Sequence, residues 1–184
     1  EPITARDFLY SWRRVLEPQT GCEYAGVLFY LKNGEEFHTG RIRDPALVGL
    51  RALDDHTLQV ELNHPTLFFL DLCALPTLAV VPRQAIGKHG DRWLVSPPVP
   101  ASGAYQLEAW RINDRIRLRK NPRYWDAANT RSATVDLLPC SNANTALNLY
   151  ETGAADLVWD KNLVPVDLLD ILLRRADFHS YAVL

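Results

Sequence analysis

Hydrophobic and polar residues near the start of the chain repeat with a helical period. Phe8, Leu9, Trp12, Val15 and Leu16 fall on one face of a helix. Thr4 stands at its start with Asp7 three residues on, a variant of the capping box, and Pro18 ends it. Residues 24–31 (YAGVLFYL) are apolar and aromatic and predict a second helix stopped by Asn33-Gly34. Residues 35–44 are polar and read as a surface loop. Leu58, Val60 and Leu62 then alternate with Gln59 and Glu61, the pattern of a half-buried strand. Residues 50–53 supply its partner, and Asp54-Asp55-His56 the turn between them. A short helix over 67–75, a buried strand over 79–81 and a helix from Pro82 through Ile86 complete this part.

Ser96–Pro100 (SPPVP) holds three prolines in five residues and is read as a boundary between subdomains. Beyond it, strand-like runs at 105–112 and 115–120 flank Asn113-Asp114, a hairpin signal. Arg115, Arg117 and Arg119 alternate with Ile116 and Leu118, which places the arginines on one solvated face. The last third reads as strand 135–138, helix 143–152 with Gly153 just past its end, strand 155–159, helix 165–173 and strand 178–184. That alternation predicts a mixed or parallel sheet with covering helices.

Composition narrows the function. The chain has 184 residues, 47% of them hydrophobic, with a net charge of −2. Such a balance argues against a nucleic-acid binder, which carries a basic excess. No apolar run approaches the ~20 residues of a membrane-spanning helix. Cys22, Cys73 and Cys140 lie far apart and show no metal or redox spacing. The opening Glu1-Pro2 carries no signal-peptide pattern and the close is strand-like, so a piece of a longer protein is expected.

Chemistry-bearing patterns are sparse. No GxSxG, HExxH, P-loop or GxGxxG string occurs. His38, His56, His64, His89 and His179 are scattered. Asp54-Asp55 reads as turn chemistry, not as an acid pair. No catalytic residue, metal site or cofactor is therefore expected. Aromatic residues are plentiful: Tyr24, Phe29, Tyr30, Phe68, Phe69, Trp93, Trp110, Tyr124, Trp125 and Trp159. Most are expected in cores, and a minority would line a cleft.

Five strings carry a resemblance. They are residues 2–14 (PITARDFLYSWRR), 52–62 (ALDDHTLQVEL), 102–107 (SGAYQL), 121–126 (NPRYWD) and 150–157 (YETGAADL). In this order they resemble the family 5 bacterial extracellular solute-binding proteins, the oligopeptide and dipeptide receptors of ABC importers. Within them, Asn121-Pro122 reads as a turn, with Tyr124 and Trp125 anchoring it to the core.

The resemblance implies an α+β, mixed α/β fold. Residues 1–98 would form an accessory subdomain of the first lobe. Residues 99–184 would form part of a central domain of the periplasmic-binding-protein type II kind, with the second lobe absent and Leu184 beside the hinge to it. It implies a peptide ligand held between lobes, ABC permease partners, an extracytoplasmic or periplasmic location and no enzymatic activity. Alternatives on the same fold are capture of a metal chelate, haem or oligosaccharide, or a regulatory adaptor role. Tyr24, in Cys22-Glu23-Tyr24-Ala25, aligns with a PYAS-like segment whose tyrosine faces the peptide, although Cys22-Glu23 departs from the usual Ser-Pro. The other reading of Tyr24 is a helix aromatic packed in the core.

Overall fold

The computed structural model describes residues 2–95 and 99–180, and the backbone divides into two units, Glu1–Ser102 and Gly103–Leu184. In the first unit, helix α1 spans Ala5–Leu16. The Asp7 carboxylate accepts hydrogen bonds from the Thr4 backbone N–H (2.8 Å) and hydroxyl (2.9 Å), so the helix start is tied down locally. Its apolar face meets the core. Trp12 and Leu16 pack with Leu28, Leu31, Phe37, Val48, Leu50, Phe69 and Leu78. The Trp12 indole N–H donates to the Leu78 carbonyl at 2.9 Å, which satisfies the one polar atom that this buried ring carries. Its ring meets Phe69 edge to face at 6.3 Å.

The sequence-predicted helix over 24–31 is a short 3-10 turn, Ala25–Leu28. Asn33-Gly34 does not end structure there. Asn33 adopts a left-handed conformation (φ 57°) and starts helix α2, Gly34–His38. The reason is Phe37, which is buried in the core and pulls this polar segment onto it. Asn33 Nδ2 also donates to the Leu47 carbonyl at 2.8 Å.

Strands β1 (Leu50–Ala52) and β2 (Leu58–Val60) pair antiparallel, with Arg51 opposite Gln59. Asp54 makes the turn by accepting from the His56 N–H at 2.7 Å. Gly49 sits where residues 32 and 61 converge, and a Cβ there would overlap the Glu61 carbonyl oxygen. Helix α3 is a single turn, Phe69–Leu72, and α4 spans Arg83–His89. The expected strand over 79–81 does not form. A 3-10 turn, Pro76–Leu78, precedes it, and the Val81 N–H donates to the Ser11 hydroxyl (3.0 Å), not to a ladder. Side chains of α1 take the backbone groups that a sheet would have taken.

In the second unit, β3 (Tyr105–Arg111), β4 (Arg115–Lys120) and β5 (Thr134–Leu137) form an antiparallel sheet in the order β3-β4-β5. Asn113, at φ 60°, turns the β3–β4 hairpin. Helix α5 spans Ala143–Glu151, begins on the Asn142 side chain (Thr145 N–H to Oδ1, 3.0 Å) and ends ahead of Gly153 at φ 71°. Helix α6 is Leu169–Leu172.

Of the strand–helix–strand–helix–strand pattern expected for the last third, the described residues form the first strand and helix but not the later strands. Residues 155–159 and 178–180 are extended or irregular, without a ladder partner among the described residues. A strand needs a neighbour for its N–H and C=O groups, and apolar content alone does not supply one. The remainder of that expected strand, residues 181–184 including Leu184, and residues 96–98 of the proline-rich stretch lie outside the described residues.

Candidate ligand-contacting surface

Tyr24 immediately precedes the 3-10 turn of residues 25–28. Ala25 and Leu28 are the residues of that turn that enter the core, while Tyr24 itself is 65% exposed. The turn is held by Ala25 N–H to the Cys22 carbonyl (3.2 Å) and Val27 N–H to the Tyr24 carbonyl (3.1 Å). The tyrosine is therefore presented on a seated turn and does not occupy the core. Exposed apolar groups elsewhere on this unit include Leu67, Phe68 and Leu70, with the Tyr30 and Phe68 rings edge to face at 5.3 Å.

On the second unit, Trp125 (85% exposed) and Trp159 (89% exposed) present their rings to solvent. The exposure of Trp125 corrects its expected role as a core anchor. Asn121 fills that role. It is buried, its Nδ2 donates to the Gly103 carbonyl (2.9 Å), and its Oδ1 accepts from the Arg123 N–H (3.0 Å) and the Gln106 amide (3.2 Å). A primary amide has donors and acceptors enough to stitch the strand β3 entry to the turn after β4, which a tryptophan lacks.

Several titratable groups hold one another. Arg117 grips Asp136 through two hydrogen bonds (2.7 and 2.6 Å) and Arg115 adds a third at 3.4 Å, so two of the three arginines expected on a solvated face are engaged with a carboxylate. The Arg117 hydrogen bond holds the Asp136 carboxyl below its ordinary pKa and raises that of Arg117. The His56 backbone N–H likewise lowers Asp54, so this residue serves its turn. Asp55 pairs with Arg6 at 3.3 Å. His38 Nδ1 lies 3.0 Å from the Leu16 carbonyl. Among the described residues no group of three His, Cys, Asp or Glu could hold a metal ion. All three cysteines are unpaired, and burial pushes the Cys73 thiol up.

One cluster escaped the sequence reading. Arg175 binds Asp177 through Nε (2.9 Å) and Nη2 (2.8 Å) and Glu151 through Nη1, and it stacks 5.9 Å from the Tyr150 ring centre. The Tyr150 hydroxyl donates to Asp177 at 2.8 Å. The Arg175 hydrogen bonds push Asp177 well below the usual carboxylate range, and the bond to Asp177 raises Tyr150. Glu151 and Arg175 are 24 residues apart, so no spacing rule connects them.

No helix among the described residues is long and apolar enough to cross a membrane. The described residues form two α+β units, each with aromatic rings exposed on its surface. Residues 1–173 match the family described as bacterial extracellular solute-binding proteins, family 5 Middle, and the chain belongs to that family. It is 39% identical over 177 residues to the periplasmic oligopeptide-binding protein OppA of Salmonella typhimurium, covering 95% of this chain and 32% of that protein. It is 38% identical over 161 residues to the probable deoxycholate-binding periplasmic protein YgiS of Escherichia coli, covering 86% of this chain and 30% of that one. The crystal structure of Haemophilus influenzae OppA in complex with RPPGFSPFR superposes with a TM-score of 0.84 at 29% identity, over 94% of this chain and 33% of that chain. The fold is thus a mixed α+β part of a type II periplasmic binding protein. The chain spans about a third of the length of the relatives it matches.

Proposed function

We propose that this chain is part of the peptide-capturing component of an ABC importer, working in the periplasm or at the outer face of the cytoplasmic membrane. The observation that carries this reading is the match to OppA over nearly the whole of this chain, with a structural relative solved in complex with RPPGFSPFR. In this reading, residues 1–98 are the accessory subdomain of the first lobe. Residues 99–184 belong to its central α/β domain, and the peptide is held against a second lobe. Tyr24 contributes a wall of the peptide site. Its exposure and its seated turn support that role, since an amphipathic ring offers an apolar face and a hydroxyl to a peptide. The protein performs no catalysis, and permease subunits receive the loaded receptor.

A second reading has one observation in its favour: a relative of nearly equal identity is named as deoxycholate-binding. Calorimetric titration of the full-length protein separates the two. Mixed tri- to pentapeptides are expected to bind, and Tyr24→Ala is expected to weaken them. No peptide binding, together with saturable binding of a bile salt, would replace the peptide reading with the second. The isolated chain is expected to bind peptides weakly or not at all, because one wall leaves the peptide in contact with solvent while still ordering it. A low-micromolar dissociation constant for the isolated chain would place the whole site within these residues.

A further inference from the structure

Tyr24 opens a run of backbone hydrogen bonds that continues well past its own turn. The Phe29 N–H donates to the Gly26 carbonyl (3.1 Å), Leu31 to Leu28 (3.1 Å) and Gly34 to Leu31 (2.9 Å), following the bonds of Ala25 and Val27. Each bond spans three residues, so 22–34 is a chain of linked tight turns. Ala25, Leu28 and Leu31 seat its inner side in the core. The far end is held by one residue. Beyond β2, Leu62 bridges Leu31 in antiparallel fashion. The next residue, Asn63, donates its backbone N–H to the Tyr30 carbonyl at 2.9 Å. Its side-chain Nδ2 donates to the Phe29 and Leu31 carbonyls, each at 3.1 Å. Three consecutive carbonyls are thus received by a single residue. All three are acceptors, and a primary amide brings two side-chain N–H donors to add to that of the backbone. A carboxylate of the same shape brings none.

We infer that Asn63 is a positioning residue for Tyr24: by clamping the carbonyls of residues 29–31 it holds the run of turns in one arrangement, and so holds the Tyr24 ring ready for the peptide without touching the peptide itself. The inference rests on the reading of Tyr24 as a wall of the peptide site. Its physical basis is preorganisation. The Tyr24 ring is exposed, so its pose is set by the backbone beneath it more than by packing around it. A segment that samples several arrangements binds only through its competent fraction, and the apparent affinity falls by that fraction. Loss of the Asn63 amide returns the Phe29 and Leu31 carbonyls to water, which competes well at an exposed site. The cost therefore falls on the order of the run more than on the stability of the unit.

The test uses the full-length protein with two readouts. One is the fluorine resonance of 3-fluorotyrosine placed at position 24, recorded without ligand. The other is calorimetric titration with mixed tri- to pentapeptides. Asn63→Ala and the isosteric Asn63→Asp are expected to move the fluorine resonance toward that of free fluorotyrosine. They are also expected to weaken peptides about fivefold, the size of one net hydrogen bond. Asn63→Ser, with one side-chain donor, is expected to fall between these variants and the parent. In a Tyr24→Ala background, Asn63→Ala is expected to weaken peptides no further. That coupling separates positioning from a general loss of stability, which would act with or without the ring. A fluorine resonance unchanged in both Asn63→Ala and Asn63→Asp overturns the assignment, as does an Asn63→Ala loss of affinity that is the same with and without Tyr24. If Tyr24→Ala binds peptides as the parent does, the reading of Tyr24 as a peptide wall fails, and the effect of Asn63 on affinity fails with it. A moved fluorine resonance in Asn63→Ala would then still uphold the clamp on the ring.

Discussion

The two units differ in how completely they bury their own apolar residues. The first gathers nine buried side chains from α1, α2, β1, α3 and the intervening turns into one cluster. The second buries Ala146 and Leu172 among its hydrophobic residues, plus the polar Asn121, while Trp110, Leu137, Leu157, Trp159 and Ile171 remain exposed. One face of its three-stranded sheet aligns Trp110, Ile116 and Leu137 across the strands, yet Trp110 and Leu137 stay open to solvent. Burial of apolar area is the main favourable term in folding, so the first unit stabilises itself by packing. The second relies more on ladders, caps and ion pairs. What this teaches is that strand pairing and hydrogen bonding can define a shape whose apolar surface is only partly covered.

The largest test of that contrast is Trp12→Ala. It removes a fully packed ring and the bond to Leu78, and is expected to cost about 3–5 kcal/mol in denaturant unfolding. A cost under 1 kcal/mol would mean that the first unit is not organised around α1. Next comes Asn121→Ala in the second unit. It leaves the Gly103 carbonyl, the Arg123 N–H and the Gln106 amide without that partner, for an expected loss of about 1–3 kcal/mol. If the variant matches the parent, the polar anchor adds nothing beyond the ladders.

A smaller effect is expected from acid. The Asp177 carboxyl sits below its ordinary value of 3.8 when folded. Its contribution is therefore present in full above that value and is lost as pH falls through the depressed folded value. Asp136 has the same sign through Arg117. Urea midpoints measured from pH 5 to pH 2 should fall less steeply in Asp177→Asn than in the parent. Equal slopes would show that the exposed Arg175 cluster is energetically idle, as many surface pairs are. The smallest changes in stability are expected from Tyr24→Ala and Trp125→Ala, each within about 0.5 kcal/mol because both rings are exposed. A larger loss at Trp125 would restore it as an anchor.

Much of the secondary structure was legible along the chain. Helix α1 announced itself through its apolar spacing, Thr4 and Asp7, and the two hairpins through their alternation and their Asp and Asn turns. The candidate site was less so. Resemblance singled out Tyr24, but only the seating of Ala25 and Leu28 shows that its ring faces outward. Trp125 looked like a core residue because tryptophan is costly to expose, and nothing local signalled that Asn121 would take its place.

By itself, the sequence determined the elements whose causes lie within a few residues: the cap of α1, the hairpins with their turns, and the family to which their order belongs. The tertiary structure alone decided the rest. It made α2 a helix because Phe37 could reach a core built by distant residues. It left residues 155–159 without a ladder partner among the described residues, because a ladder needs a neighbouring strand. It also joined Glu151, Arg175 and Asp177, since a guanidinium satisfies whichever carboxylates the folded backbone brings within reach.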